Sequence, residues 1–469
     1  MKFKLTLHYW LLLLVSIFSA QAYSNEFIVH EAQKFALKNV TVFDGTGSPV
    51  RYEQTILLNG ERIEAVLNAD ELLPSGYTEI DLSGHTIVPG FVMLHEHLFY
   101  PTGLGNYSDM VYSFPKLYLA GGATTIRTAG TMAPYADLNV SNAIKDKEII
   151  GPNINVTAPY LNGPGLPIMK VRALMGADDA ENQVKYWLSE GVESYKLYMH
   201  IRQKEMQRII QLAHDNQQKV TGHLCSVTFS EAADFGIDNL EHGFVTATDF
   251  VKSKRKDECP ASKEVMESLL KQPLDSKEID KLIAHLVKNS VTITSTLTIY
   301  ETFAKGRPLA WQQALRLMNP DVKQQYLDRW SKIQASENND WSELLKREMH
   351  WEKKFVEAGG QLVVGTDPTG YGGVVAGISN LRAIELLVEA GFELSQAIKI
   401  ASLNGATFLG RADQIGTIQT GKLANLAVFE GDLSEDLNNL KRIRWAVKEG
   451  TFYDSQAIFS AMEGKVGLH

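Results

Sequence analysis

His95 and His97 stand one residue apart at the end of an apolar run, Val88-Pro89-Gly90-Phe91-Val92-Met93-Leu94. On a strand, residues two apart share a face, so both imidazoles project to one side while Glu96 points away. Two imidazoles so placed can grip one metal ion. A His-x-His pair alone also fits two solvated histidines after a strand. The same kind of residue recurs, however: His223 closes the run 219–223, His242 closes 239–242 and Asp367 closes 362–367, while Lys196 lies within 195–199. Six such side chains at the ends of separate strand-like runs argue for chemistry at one place.

The elements that must position them can be read from periodicity. From Ile87 onward, short strand-like runs alternate with longer helical ones, which is the pattern of parallel βα units. The runs are 87–94, 123–127, 154–158, 195–199, 219–223, 239–242, 291–297 and 362–367. Eight units predict an α/β fold, a (β/α)8 TIM-like barrel with its chemistry at the strands' C-terminal ends. A helical insertion, Trp311 to Glu357, ends at Gly359-Gly360 and is placed to cover the mouth. The charged stretch 252–258 reads as solvated surface.

Outside the barrel the pattern is β. Asn59-Gly60 between Thr55–Leu58 and Ile63–Leu67 is a strong hairpin signal. The tail, with strand-like 424–429 and 443–453, has the same character. The expected division is therefore a barrel over 87–412 and a small β-sandwich domain formed by both chain ends, 23–86 plus 413–469.

Composition bounds the function. A chain of 469 residues with 44% hydrophobic content and net charge −9 is globular and has no general affinity for nucleic acid or anionic membrane. Lys2 and Lys4, the apolar run 9–18 and Ser19-Ala20-Gln21-Ala22 form the layout of a secretory signal peptide, residues 1–22. The run is shorter than the ~20 residues a span needs, so the mature protein is expected free of the membrane, in a bacterial periplasm or secreted. Two cysteines, Cys225 and Cys259, make no disulfide framework. Cys225 reads as a small packing residue near His223.

Taken together the motifs resemble the amidohydrolase superfamily: the run ending His95-Glu96-His97, Gly121-Gly122-Ala123-Thr124-Thr125-Ile126-Arg127, Gly191 to Lys196, Thr221-Gly222-His223, Asn239-Leu240-Glu241-His242-Gly243 and Gly365-Thr366-Asp367. Ala401 to Ala406 and Ile415 to Asn425 resemble that family's closing signature. The most similar branch holds imidazolonepropionase-like enzymes and dipeptidases with a bridging lysine. The resemblance implies two divalent metal ions, zinc by preference. His95, His97 and Asp367 would hold one ion and His223 and His242 the other, with Lys196 bridging as a carbamate formed with CO2 (N6-carboxylysine). A bare ammonium could not ligate a cation. It further implies attack of a metal-bridging hydroxide on a carbonyl, with Asp367 as the catalytic base and then acid. Tyr198, His200 and Arg127 are candidate substrate contacts. Thr128 and Asn380 depart from the family pattern, which expects aspartate and histidine there.

The leading expectation is hydrolysis of an amide bond in dipeptides or N-acyl amino acids. A cyclic amidase or lactonase with the same site is the alternative enzyme, because the same ions serve any polarised carbonyl. A metal-free scaffold or binding relative is the non-enzymatic alternative. The sequence leaves a homo-oligomer open.

Overall fold

The structure is a computed structural model describing residues 26–103, 105–166 and 168–468. The expected signal segment lies outside the described residues.

All eight anticipated runs form parallel strands. The first three are Phe91–Glu96, Ala123–Thr128 and Asn153–Asn155, paired side by side. The remaining five are Ser194–Leu197, Lys219–Gly222, Asn239–Glu241, Thr292–Ser295 and Leu362–Val364, again neighbours in chain order. Between the third and fourth strands the pairing is irregular. Thr157 bridges Ser194, and the Ala158 amide donates to the Ser194 carbonyl at 3.0 Å. Between the eighth and the first, the Thr366 and Asp367 amides both donate to the His95 carbonyl, at 3.1 and 3.0 Å. That approach needs Gly365: a Cβ there would lie 2.4 Å from the His95 backbone nitrogen.

The first strand begins later than its apolar run suggests. His85–Pro89 belongs to a different sheet, and Gly90 breaks the run before Phe91. That other sheet has nine strands from both chain ends. Its order is 28–30, 451–454, 443–448, 426–430, 85–89, 34–42, 51–59 and 62–67, with 78–81 also paired to 34–42. The Asn59-Gly60 hairpin forms as read, joining Arg51–Asn59 to Arg62–Leu67. Inward side chains including Phe35, Ile56, Val428, Trp445 and Phe452 build its own apolar core.

The insertion between the seventh and eighth strands consists of helices Gln312–Leu317, Pro320–Ala335 and Asp340–Glu357. The second is capped by Asn319 Oδ1, which accepts from the Asp321 and Val322 amides. The third buries Leu344, Leu345, Met349, Trp351 and Phe355 against the strand layer, together with two acids, Glu348 and Glu352. No described helix is long and apolar enough to cross a membrane.

One expectation is corrected. Cys225 is not a packing thiol; it forms a disulfide with Cys259, Cα to Cα 4.9 Å. The stretch 252–258 is solvated surface as expected, with no residue buried, and it is tied down at two points. Lys254 Nζ donates to the Ser226 carbonyl at 2.6 Å, and Asp257 Oδ1 accepts from the Gln203 amide at 2.7 Å. The disulfide closes this loop against the segment that follows the fifth strand. Spanning 34 residues, it is expected to contribute about 3–4 kcal/mol by restricting the unfolded chain. Reduction, or Cys259→Ser, should lower the denaturant midpoint accordingly, measured by chemical unfolding with and without reductant.

Candidate metal centre and active site

Six side chains from five strands meet in one cavity of about 410 Å³: His95, His97, Lys196, His223, His242 and Asp367. His95 is the penultimate residue of the first strand and His97 follows its end. Lys196 is inside the fourth strand, and His223 and His242 each stand one residue beyond the fifth and sixth. Ring centroids are 4.4 Å apart for His95 and His242, 4.4 Å for His223 and His242, and 5.4 Å for His95 and His97.

The orientation of the rings is fixed from behind. His97 Nδ1 lies 3.1 Å from the Gly130 carbonyl, which can only accept, so Nδ1 carries a hydrogen. His97 Nε2 then faces Asp367 Oδ1 at 3.4 Å. His95 is held the same way, its Nδ1 against Glu241 Oε2 and its Nε2 3.8 Å from Asp367 Oδ1. His242 Nδ1 is 2.9 Å from Thr296 Oγ1 and 3.8 Å from Asp367 Oδ2. Nitrogen lone pairs turned toward a carboxylate need a positive species between them. His95, His242 and Asp367 offer ligand atoms all within 4.8 Å of one another, so the donor set fits a divalent cation. Backing a ligand imidazole with a carboxylate or carbonyl is how metal sites fix tautomer and direction.

Electrostatics agree with that chemistry. Burial pushes His95 and His242 down, and takes His223 to about 3, so these rings are neutral, the form that ligates. For Asp367, burial opposes ionisation, but His97, His95 and His242 outweigh it and hold the carboxyl below its usual range. Burial brings Lys196 down to about 8, against the pull of Glu241.

Glu241 was not legible as a site residue. Its Oε1 accepts from Arg127 Nη1 at 3.2 Å and Thr221 Oγ1 at 2.5 Å, and pairs with the Lys196 Nζ charge at 3.0 Å. Burial would raise its pKa, but His95, Lys196 and Arg127 overcome this and keep it ionised. Strand alternation sets Glu241 and His242 on opposite faces. The strand ends at Glu241, though, and His242 takes a left-handed backbone with φ 73°. That reversal turns His242 to the same pole. Asp367, with φ 55°, leaves the eighth strand in the same way.

The turn after His242 is gripped by the inserted helix. Both carboxyl oxygens of Glu348 accept from the Phe244 amide, at 2.9 and 3.0 Å. A Cβ on Gly243, where φ is 61°, would fall 1.5 Å from Glu348 Oε1. Glu352, one turn on, accepts from Ser295 Oγ at 2.8 Å. Burial raises both acids, Glu352 to about 8, and their proximity raises Glu348 further. Glu96 indeed points away from the histidines. It accepts from the Thr366 amide at 3.1 Å and from Asn380 Nδ2 at 2.9 Å, so Thr366 ties the segment after the eighth strand to the first, and the atypical Asn380 ties the helix Ile378–Glu389 to it.

Of the three anticipated substrate contacts only Tyr198 lines the cavity, its ring 5.1 Å from His223 and 4.6 Å from Tyr160. Arg127 does not. It is 1% exposed, and its guanidinium is spent on Glu241, Ser194 Oγ, Thr221 Oγ1 and the Leu94 carbonyl. His200 turns to the loop at Gly163 and Gly165, and its amide donates to Asn162 Oδ1 at 2.9 Å.

Two tests follow from the Glu348 contact. Gly243→Ala should cost about 3 kcal/mol or more through strain and overlap. In the Glu348→Ala background that cost should shrink, a coupling that a double-mutant cycle of unfolding free energies measures. Because Glu352 has a folded pKa near 8, above its unfolded value, it holds its proton in the folded state through neutral pH. Its contribution is complete below the ordinary carboxylate range and is lost as pH rises toward 8. Unfolding curves at pH 5.5 and 8.5 should show a smaller loss for Glu352→Gln than for the unmodified protein.

The fold recurs among solved structures. An Xaa-Pro dipeptidase with methionine bound in its active site superposes with TM-score 0.66 at 18% identity, over 90% of this chain and all of that one. A bottromycin amidohydrolase gives TM-score 0.68 at 18% identity, covering 93% of each chain. The ochratoxinase of A. niger gives 0.63 at 17% identity, over 91% of this chain and 96% of its own. No curated protein sequence matches the chain. The model of the amidohydrolase family matches residues 86–452, a span holding every strand that carries the six cavity residues. The chain belongs to the amidohydrolase family.

Proposed function

We propose that this amidohydrolase cleaves an amide bond in dipeptides or N-acyl amino acids with two divalent ions, zinc by the nature of the donors. His95, His97 and Asp367 would hold one ion and His223 and His242 the other, with Lys196, as a carbamate, completing the donor set. The observation that carries this reading is the convergence of His95 Nε2 and His97 Nε2 on Asp367, with Lys196, His223 and His242 on the same cavity. A lysine drawn down to about 8 has an appreciable neutral fraction, and only the neutral amine adds to CO2.

When bound, the ions acidify a water and polarise the scissile carbonyl. The chain's own groups do the rest. Asp367 takes the water's proton at a carboxylate oxygen and delivers it to the departing amine nitrogen. The Tyr198 phenol, kept protonated by burial, donates to the oxygen on which charge develops. Glu241 and the Gly130 carbonyl keep His95 and His97 in the ligating tautomer throughout. The names of the dipeptidase and amidohydrolase neighbours favour peptide-type amides over lactones.

The reading extends to the architecture. The irregular seam at Thr157 and Ser194 and the His95 hydrogen bonds of Thr366 and Asp367 support one closed eight-stranded barrel. The sheet built from both chain ends supports a separate composite β-domain beside it. An exported, periplasmic enzyme accords with the Cys225–Cys259 disulfide.

The test is metal analysis joined to kinetics. Two ions per chain are expected, falling in Lys196→Ala. Activity on N-acyl amino acids should vanish on chelation and return with zinc. Asp367→Asn should lower kcat/KM by about 10²–10⁴-fold. Full turnover of amides after exhaustive demetallation, or turnover of lactones alone, would refute the proposal.

A further inference from the structure

A second cavity, of about 550 Å³, opens on the other side of the same site and shares His223, His242, Asp367 and Thr369 with the first. Its character is different. The walls are Val265, Met266, Ile299, Phe303, Trp341 and Leu344, brought by the helix Ser262–Leu270, the segment 297–303 and the start of the helix Asp340–Glu357. Tyr300 stacks on Trp341 at 5.6 Å with the rings 17° apart, and Phe303 closes on Trp341 at 4.9 Å. This aromatic wall reaches the metal site directly, since Tyr300 lies 6.2 Å from His242.

The two charged side chains on this cavity that are not candidate ligands, Lys263 and Asp340, are exposed and stay in water. Val265, Met266, Phe303 and Trp341 are only partly buried, so apolar surface faces the opening. Filling that space with an uncharged apolar group removes this surface from water, whereas a charged group there would lose hydration without a partner. The first cavity is the opposite case. Lys170 lines it, its Nζ 3.3 Å from the Tyr107 carbonyl, and supplies a cation besides Lys196.

We propose that the substrate is an N-acyl amino acid whose acyl group is bulky and apolar, aromatic or branched, and fills the cavity of Met266, Phe303 and Trp341. Its carboxylate lies on the opposite side of the metal site, toward Lys170. The inference rests on the hydrolase reading above and narrows it, because beyond the candidate ligands a dipeptide with a free α-ammonium would meet only the solvated Asp340 on the apolar side. One added methylene in an apolar pocket is worth on the order of tenfold or more in discrimination. The acyl group therefore sets specificity.

The experiment is a panel on the zinc-loaded enzyme: N-acetyl-, N-hexanoyl- and N-phenylacetyl-leucine, and the dipeptide Phe-Leu. From acetyl to phenylacetyl, kcat/KM should rise at least about tenfold, and Phe-Leu should fall below N-phenylacetyl-leucine. Met266→Glu, at a partly exposed position, should flatten the series without a loss of thermal stability, and Trp341→Ala should flatten it while losing the stability of the stacking it removes. Independently, metal-stripped protein is titrated with phenylacetone, a neutral ketone that cannot be hydrolysed. It should bind with a negative heat-capacity change and weaken at least about tenfold in Met266→Glu. Equal kcat/KM across the acyl series, or a preference for Phe-Leu, overturns the inference and leaves the hydrolase reading standing. Absence of turnover across the panel refutes the hydrolase reading, and the phenylacetone titration then decides the cavity: binding upholds its apolar assignment and no binding overturns it.

Discussion

One buried carboxylate ties the parallel strands together. Glu241, on the sixth strand and fully buried, meets His95 from the first strand, Arg127 from the second, Lys196 from the fourth and Thr221 from the fifth. An unpaired carboxylate at that depth would be prohibitively costly, so the partners must be present together for the charge to be tolerated. The arrangement explains why Arg127 does not line the cavity. Four of its five donors are committed to Glu241, Ser194, Thr221 and a backbone carbonyl, and the guanidinium is buried among them. The same network points His95 Nε2 and Lys196 Nζ at the site, so the stability of the strand layer and the geometry of the amidohydrolase's candidate metal site share one set of contacts.

The second constraint is the manner in which ligands leave their strands. His242 and Asp367 both adopt left-handed backbone, which non-glycine residues seldom take and which costs of order 1–3 kcal/mol each. Each conformation is enforced locally. Glu348 grips the Phe244 amide behind His242, and the His95 carbonyl accepts from the amides of Thr366 and Asp367. The inserted helix thus bears on the site from behind, because it supplies the acid that fixes the turn after a candidate ligand.

These constraints mark what sequence could and could not reveal. Period-two and period-3.6 hydrophobicity found all eight parallel strands and the helical insertion, since both follow from burial on one face. The six clustered side chains were legible because strand ends of a parallel sheet share a pole. Glu241 was hidden by the alternation rule, valid within a strand but broken when His242 turned left-handed. Glu348 could not be found either, as its partner is an amide 104 positions away. The start of the first strand was misplaced because one apolar run serves two sheets, 85–89 in one and 91–96 in the other. The disulfide went unread because two cysteines 34 positions apart carry no spacing signature.

That disulfide links fold to selectivity. Cys225 lies two residues past His223 and faces the apolar cavity, while Cys259 stands three residues ahead of the helix Ser262–Leu270 that contributes Val265 and Met266 to its wall. On the far side the wall comes from the insertion, through Trp341 and Leu344. Neither wall belongs to the parallel strands, whose ends carry the candidate ligands. On the proposed reading, chemistry and selectivity are carried by separate elements: a strand layer fixed by Glu241, and two connecting segments anchored by a covalent bond on one side and by Glu348 and Glu352 on the other. Strands already committed to the buried network have little freedom to vary, so that reading assigns the shape of the acceptable substrate to those connecting segments.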